Sequence, residues 1–117
     1  MAFTIFNRGI MAAENGTLVL FSDFDTGGAM WTGDGPREER RRVDFGVTFM
    51  EPPVVHVGLG MLDISNQSNL RLQMSAEEVE ASGFTACFRT WGDTRVAWVS
   101  IAWVAVGMVH DPDMWQL

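Results

Sequence analysis

The side chains in this sequence that could do chemistry stand at alternate positions of two short segments. Arg71 and Gln73 share one face of the first segment if it is a strand, and Arg89 and Trp91 share one face of the second. An indole ring can lie against the C–H face of a sugar, while a guanidinium donates charge-assisted hydrogen bonds to the sugar hydroxyls. Arginine beside tryptophan is also an ordinary cation–π packing pair, and from chemistry alone this second interpretation is favoured.

Motifs for catalysis or metal binding are missing from the sequence. His56 and His110 are the only histidines, and neither stands near a serine or cysteine in a recognisable nucleophile setting. Cys87 is the only cysteine, so no ligand cluster for a metal and no intrachain disulfide can be built from it. Asp23 and Asp25 are interpreted as turn residues, because the spacing and the bidentate glutamate of a calcium loop are absent. We therefore predict no catalytic residue, no metal site and no cofactor.

The charge and hydropathy of the chain exclude two further classes of partner. Its 117 residues carry 15 acidic and 8 basic side chains, a net charge of −7, whereas a nucleic-acid surface needs a basic footprint. The longest apolar run, within 96–109, is too short to span a bilayer. Arg8 interrupts the apolar residues of 1–13, which is typical of a poor secretory signal. We expect no nucleic acid, no membrane span and no signal peptide, and the sequence leaves the localisation open.

One long apolar strand organises the elements that must position these side chains. From Arg95 to Gly107 a β-branched and aromatic run contains no proline, and no glycine before its last residue. Both of its faces are apolar, with Trp98 on one and Trp103 on the other. A strand of an antiparallel sheet normally has one wet face, so the second face needs a cover, most simply another copy of the protein. A buried helix would show the same run, but the valine, isoleucine and tryptophan content favours a strand.

Turn signals divide the rest of the chain into short strands. The strands are predicted over 17–21, 37–49, 54–64, 70–75, 84–91 and 95–107. Residues 22–36 have the composition of a loop, with Trp31 as its expected anchor in the core, and Gly92-Asp93 is expected to form a tight turn into the last strand. Six strands without a convincing helix predict an all-β fold, a six-stranded antiparallel β-sandwich. An N-terminal arm, 1–15, would precede this domain at 16–107, and a C-terminal tail, 108–117, would follow it.

The order of the short motifs resembles the H-type lectin domain, the module of snail agglutinins and of the C-terminal region of discoidins. The resemblance rests on VTF at 47–49, PPVV at 52–55, LD at 62–63, NLR at 69–71, GF at 83–84, TWGDT at 90–94 and IAW at 101–103. It extends from about Gly16 to Gly107 in unbroken order. No single motif is specific, but their combination is.

The resemblance implies a homotrimer of six-stranded sandwiches with glycan sites at the subunit junctions. In the family an acidic residue, the arginine of NLR and the tryptophan of TW contact a sugar of galactose or N-acetylgalactosamine type. These positions fall on Glu38, Arg71 and Trp91, with Asp34 as the alternative acidic residue. The histidine that follows the tryptophan in the snail lectin is Gly92 here, so a contact to the N-acetyl group of the sugar is expected to be lost.

Two functions of different classes are left open by the sequence. The first is a non-enzymatic, trimeric carbohydrate-binding module that recognises galactose, N-acetylgalactosamine or related surface glycans for adhesion. The disulfides of the secreted snail protein are missing, which fits a reducing, bacterial or phage-like particle setting. The second is a structural protein of a larger assembly, which would use the same trimeric sandwich without sugar binding and dock on other proteins through 1–13 and 108–117.

Overall fold

Two three-stranded antiparallel sheets pack face to face in the computed structural model, which describes residues 9–111. The elements are β1 (Ile10–Phe21), α1 (Asp23–Thr26), α2 (Ala29–Thr32), β2 (Arg37–Asp44), β3 (Val54–Ile64), β4 (Leu72–Glu80), β5 (Gly83–Thr90) and β6 (Val96–Val109). Sheet A has the strand order β1–β6–β3, and sheet B has the order β2–β5–β4. The predicted six-stranded antiparallel β-sandwich is confirmed.

The organising strand predicted from the sequence is β6, the central strand of sheet A. It pairs antiparallel with β1 along one edge and with β3 along the other. Its odd-numbered side chains from Val99 to Ala105, which include Ile101 and Trp103, are buried between the sheets. Its even-numbered side chains from Trp98 onward are only half-buried on the outward face of sheet A. The core side of β6 is therefore the side of Ile101 and Trp103, and residues 9–111 of one copy leave the outward side half-exposed.

Aromatic rings fill the space between the two sheets. Phe84 of β5 meets Trp103 of β6 edge to face, with ring centroids 5.6 Å apart, and Phe45 lies 5.7 Å from the same tryptophan ring. Phe21 and Phe88 form a second edge-to-face pair at 5.4 Å. Such pairs contribute about 0.5–1.5 kcal/mol each beyond the area that they bury. One ring pair, Phe84–Trp103, therefore joins β5 to β6, and the other, Phe21–Phe88, joins β1 to β5.

Three predicted strands have clearly different bounds in the structure, and one of them, β4, covers Leu72–Glu80 rather than 70–75. β1 starts at Ile10, well before the predicted 17–21, because its pairing with β6 begins at Val109. Residues 10–15 of the predicted arm and 108–109 of the predicted tail therefore lie in sheet A, while residues 1–8 of the arm and 112–117 of the tail lie outside the described part. β2 ends at Asp44 rather than at 49, because the backbone N–H groups of 46 and 47 bond to the Glu14 carboxylate instead of to a strand.

The predicted loop at 22–36 contains two four-residue helices, so the prediction of no helix was wrong in this segment. The Asp23 carboxylate accepts a hydrogen bond from the Met30 backbone N–H at 2.9 Å, which holds α2 against α1. Met30 anchors the segment in the core with 4% of its surface exposed. The predicted anchor, Trp31, instead packs edge to face on the exposed ring of Phe24.

The turn at Gly92-Asp93 does not close a hairpin. The strands that it joins, β5 and β6, belong to different sheets, so the turn carries the chain from sheet B to sheet A. No helix among residues 9–111 is long and apolar enough to cross a membrane.

Alanine at Gly16 should destabilise the protein, because this glycine lies under the Trp103 ring. The two residues pair across β1 and β6, and a Cβ at Gly16 would stand 2.9 Å from Trp103 ring atoms. Overpacking of this kind costs about 1–3 kcal/mol, so we expect a clear fall in the thermal midpoint. Gly58→Ala is the matched control, because its Cβ would meet nothing closer than the His56 side chain at 3.8 Å. Equal thermal midpoints for the two variants would contradict the prediction.

Candidate functional site

The residues singled out by the sequence meet at one end of sheet B. Thr90, the last residue of β5, pairs with Arg37 of β2 on one side and with Leu72 of β4 on the other. Trp91 follows Thr90 directly, and Arg71 directly precedes Leu72. The fold therefore brings the arginine of NLR and the tryptophan of TW to the same corner of the sandwich.

An open cleft of about 330 Å³ lies beside Trp91. It is lined by Pro36, Arg37, Glu38, Gln73, Arg89, Thr90 and Trp91. The volume falls in the range of small-molecule sites, about 300–1,000 Å³. The Trp91 side chain keeps 42% of its surface exposed, so its ring is accessible to a ligand.

The predicted acidic residue, Glu38, lines the cleft but is held by arginines. Its Oε2 accepts a hydrogen bond from Arg89 Nε at 2.8 Å, and its Oε1 lies 3.7 Å from Arg40 Nη1. The alternative residue, Asp34, does not line the cleft and lies 3.5 Å from Arg95 Nη2 through its Oδ1. Glu38 is therefore the acidic residue that the structure brings beside Trp91.

Two buried threonines fix the backbone at Arg71. The Thr90 hydroxyl donates a hydrogen bond to the Arg71 carbonyl. The Thr94 hydroxyl accepts one from the Arg71 N–H at 2.9 Å and donates one to the Asn69 carbonyl at 2.6 Å. Sequence reasoning did not identify these two residues as part of the site. The available signal was the motif TWGDT itself, in which the threonines bracket the turn.

Gly92 contributes backbone geometry to the site. Its φ of +71° lies in the left-handed region that favours glycine. A Cβ at this position would stand 3.4 Å from Arg71 Cδ and 3.5 Å from Arg71 Nε, so the arginine side chain lies against the bare glycine. The Gly92 carbonyl accepts hydrogen bonds from the Gly35 N–H at 2.8 Å and from Arg37 Nη2 at 3.2 Å.

Arg37 is a third residue of the site that sequence reasoning missed. Its Nε donates to the Gly35 carbonyl at 2.9 Å, and its Nη1 donates to the carbonyls of Ala29 and Met30 at 3.4 and 3.2 Å. Together with the bond to Gly92, these contacts tie α2 and the link before β2 to the corner that follows β5. The residue stands in the charged run REERRR, whose composition gave no sign of a carbonyl-binding role.

Ion pairs continue from the cleft across the outward face of sheet B. Arg89 Nη1 donates to Glu77 Oε2 at 2.7 Å, the Ser75 hydroxyl donates to the same oxygen at 2.7 Å, and Arg40 Nη1 donates to Glu77 Oε1 at 3.1 Å. These three hydrogen bonds, the one from Arg89 first, lower the pKa of Glu77 from 4.5 to about 2. The network also holds Arg89, and through it Glu38, in place beside the cleft.

Acid should weaken the protein through Glu77. A carboxylate with a lowered pKa stabilises the folded state above its unfolded pKa, and this contribution is lost as the pH falls through the folded pKa. The contribution of Glu77 is therefore complete above about pH 4.5 and lost by about pH 2. We expect the thermal midpoint of wild type to exceed that of Glu77→Gln at pH 6, and the difference to shrink towards pH 2. A difference in thermal midpoint that stays constant over this pH range would contradict the lowered pKa of Glu77.

The prediction that no metal is needed remains a prediction. Within residues 9–111 no group of three histidine, cysteine, aspartate or glutamate residues could hold a metal ion. The Asp25 carboxylate accepts a hydrogen bond from the Ser22 hydroxyl at 2.6 Å, and Asp23 holds α2. Chelation with EDTA should therefore leave the thermal midpoint and any glycan signal unchanged. A loss that calcium restores would overturn this expectation.

Two curated proteins are similar to the chain in sequence. "ATP synthase subunits region ORF 7" of Fuscovulum blasticum is 45% identical over 107 residues, which cover 92% of this chain and 93% of that protein. Discoidin-2 of Dictyostelium discoideum is 32% identical over 76 residues, covering 64% of this chain but only 30% of its own length.

Solved structures of discoidin II from Dictyostelium discoideum share the fold. Two of them superpose with a TM-score of 0.74 at 23% identity, covering 91% and 92% of this chain and 40% and 41% of theirs. At this identity the likeness shows the fold alone. The sequence profile of the H-type lectin domain matches residues 40–106, a stretch that contains Arg71, Trp91 and Gly92 and starts just after Glu38. The chain belongs to the H-type lectin domain family.

Proposed function

We propose that the chain is a non-enzymatic carbohydrate-binding module for galactose, N-acetylgalactosamine or related surface glycans. The observation that carries the proposal is the corner of sheet B, where the exposed Trp91 lines one cleft with Glu38 and stands beside Arg71. An apolar ring surface, guanidinium donors and a carboxylate are the groups that sugar recognition requires. The family to which the chain belongs supports the same conclusion.

Each residue has a distinct role in this proposal. Trp91 supplies apolar contact to the C–H face of the sugar, and Arg71 donates hydrogen bonds to adjacent oxygens. Thr90 and Thr94 position Arg71 through its backbone, and Arg37 holds the Gly92 carbonyl. Because Gly92 presents no side chain, we expect the N-acetyl group to add little to affinity.

The test is a glycan array on the purified protein, followed by calorimetric titration of the best sugars. Galactose and N-acetylgalactosamine should bind with similar affinity, and glucose, the epimer of galactose at one hydroxyl, should bind more weakly. Strong preference for N-acetylgalactosamine would contradict the role given to Gly92. A silent array would overturn the carbohydrate-binding proposal.

A homotrimer is the assembly that we propose for this module. The outward face of sheet A supports it, because its exposed apolar side chains include Met11, Val19 and Val54, with exposed fractions of 60%, 48% and 57%. They share this face with the half-buried Val104, Val106 and Met108 of β6, and a large exposed apolar patch is unusual on a soluble monomer. Three copies on one particle would also raise the avidity of weak single sites, which adhesion to a glycan surface requires.

The cleft and this apolar face belong to different sheets. Trp91, Arg71 and Glu38 adjoin sheet B, whereas the outward side of β6 belongs to sheet A. If copies meet through sheet A, their clefts lie away from the contacts between copies. The family resemblance instead implies sugar sites at those contacts. In our proposal each protomer therefore holds a complete sugar site.

The second candidate function is a structural role in a larger assembly. The same exposed face of sheet A favours it, because other proteins of a particle could cover that face in place of further copies. A protein that is oligomeric and silent on a broad glycan array would favour this alternative. The sequence predicts docking through 1–13 and 108–117. The deletion should be limited to 1–8 and 112–117, because 10–13 and 108–109 pair in sheet A, and incorporation into the particle is the readout.

A further inference from the structure

The charges around the cleft are unequally paired: two arginines, Arg71 and Arg37, have no carboxylate partner among residues 9–111, whereas one carboxylate, that of Asp93, has no cationic partner there. Arg71 forms no ion pair and no side-chain hydrogen bond with any residue of 9–111, and its side chain is exposed beside Gly92. Arg37 donates to four backbone carbonyls but meets no carboxylate in the same range. The positive charge of Arg37 is therefore offset only by the dipoles of these carbonyl groups. The hydrogen-bond donors of Arg71 stay available for a ligand.

The carboxylates of the same region are already engaged. Glu38 accepts from Arg89, and Glu77 accepts from both Arg89 and Arg40. The Asp93 carboxylate, in the turn after Trp91, lies 3.4 and 3.5 Å from the side-chain and backbone nitrogens of Asn69. Neutral hydroxyl groups need acceptors as well as donors, and here the acceptors would first have to leave their present partners.

This local balance is opposite to that of the whole chain, whose net charge is −7. An acidic protein repels anionic ligands at long range, so an anion would gain at this corner only through direct contact with the unpaired guanidinium. Arginine binds planar carboxylate and tetrahedral oxyanion groups through two parallel hydrogen bonds, a stronger contact than a bond to a neutral hydroxyl.

We propose that the sugar held at this cleft is acidic. Its ring lies against Trp91, and its carboxylate or sulfate group reaches beyond the seven residues that line the cleft to the side chain of Arg71, which lies against Gly92. The inference rests on the proposed carbohydrate-binding function and narrows its ligand to anionic sugars. A uronic acid and a sulfated sugar present the same chemistry to Arg71, and the experiment separates them.

The experiment titrates three sugars that share one ring into the full protein by calorimetry. They are methyl galactoside, its uronic acid counterpart and galactose 6-sulfate. At least one acidic sugar should bind about tenfold more tightly than the neutral one, the usual difference between a charged and a neutral hydrogen bond. The preference should decline as sodium chloride is raised, because exposed charge pairs are screened. The acidic sugar that binds more tightly identifies the acid group that Arg71 holds.

Arg71→Gln should remove the preference for the acidic sugar and leave weak neutral binding through Trp91. Arg42→Gln is the matched control, because it removes the same charge near the other end of β2, where Arg42 lies 3.5 Å from Asp44. Equal affinity for the neutral and acidic sugars would overturn the inference and leave the proposed function standing. A preference that survives in Arg71→Gln would overturn the role of Arg71. Silence towards all three sugars and on the array would overturn the proposed function itself.

Discussion

Alanine at Trp91 or at Arg71 should remove detectable glycan binding while the sandwich and its assembly remain intact. Trp91 is 42% exposed and Arg71 has no ion pair among the described residues, so removing either side chain leaves the hydrophobic core unchanged. Loss of a hydrogen bond to a charged group costs about 1.5–3 kcal/mol of binding, which is a large part of the affinity of a single sugar site. The readouts are calorimetric titration with the best sugar of the array and light scattering for the oligomeric mass.

The chain offers matched controls for both variants. Phe24→Ala removes an exposed ring, 60% accessible, that does not line the Trp91 cleft. Arg42→Ala removes an arginine from the far end of β2. Both controls should bind sugar like wild type. Sugar affinity that persists in intact Trp91→Ala and Arg71→Ala proteins would move the site elsewhere, and a changed oligomeric mass in these variants would favour the structural role.

The sandwich could be predicted from the sequence because its signals are local. The alternation at 70–75 and the apolar run of β6 define strands without knowledge of their partners. The start of β1 could not be predicted, because residues from Ile10 onward are ordered by pairing with β6, which lies far away in the sequence. The two short helices were missed for a related reason. Each has four residues, and their arrangement depends on the bond from Met30 to Asp23.

The candidate site was predictable only in part. Arg71 and Trp91 could be proposed from their chemistry, and family resemblance added Glu38 and Gly92. The support around them depends on which backbone carbonyls the fold brings within reach of a side chain. No pattern in REERRR indicates that Arg37 donates to carbonyls of four other residues. The bond from Arg89 to Glu38 likewise follows from strand register, which the sequence did not fix.

A charge placed on the outward face of sheet A should separate the proposed trimer into monomers. Val106 of β6 is the best position, because it lies between Ala13 of β1 and Val54 of β3 in one row across the sheet. In a junction between copies, Val106→Glu would bury an unpaired carboxylate. At a cost of about 3 kcal/mol or more, dissociation should be favoured at least about a hundredfold. Light scattering at micromolar concentration should then show the mass fall to one third.

Val47→Glu is the control for this change, because Val47 is 39% exposed and lies in the link after β2, outside both sheets. The Val106→Glu monomer also tests where the sugar site lies. If each protomer holds a complete cleft, the monomer keeps the affinity of wild type for a monovalent sugar and loses only its avidity for a glycan surface. Loss of monovalent affinity together with the trimer would place the site at the junction. An intact trimer in Val106→Glu, or a wild-type monomer, would show that the outward face of sheet A is not the contact between copies.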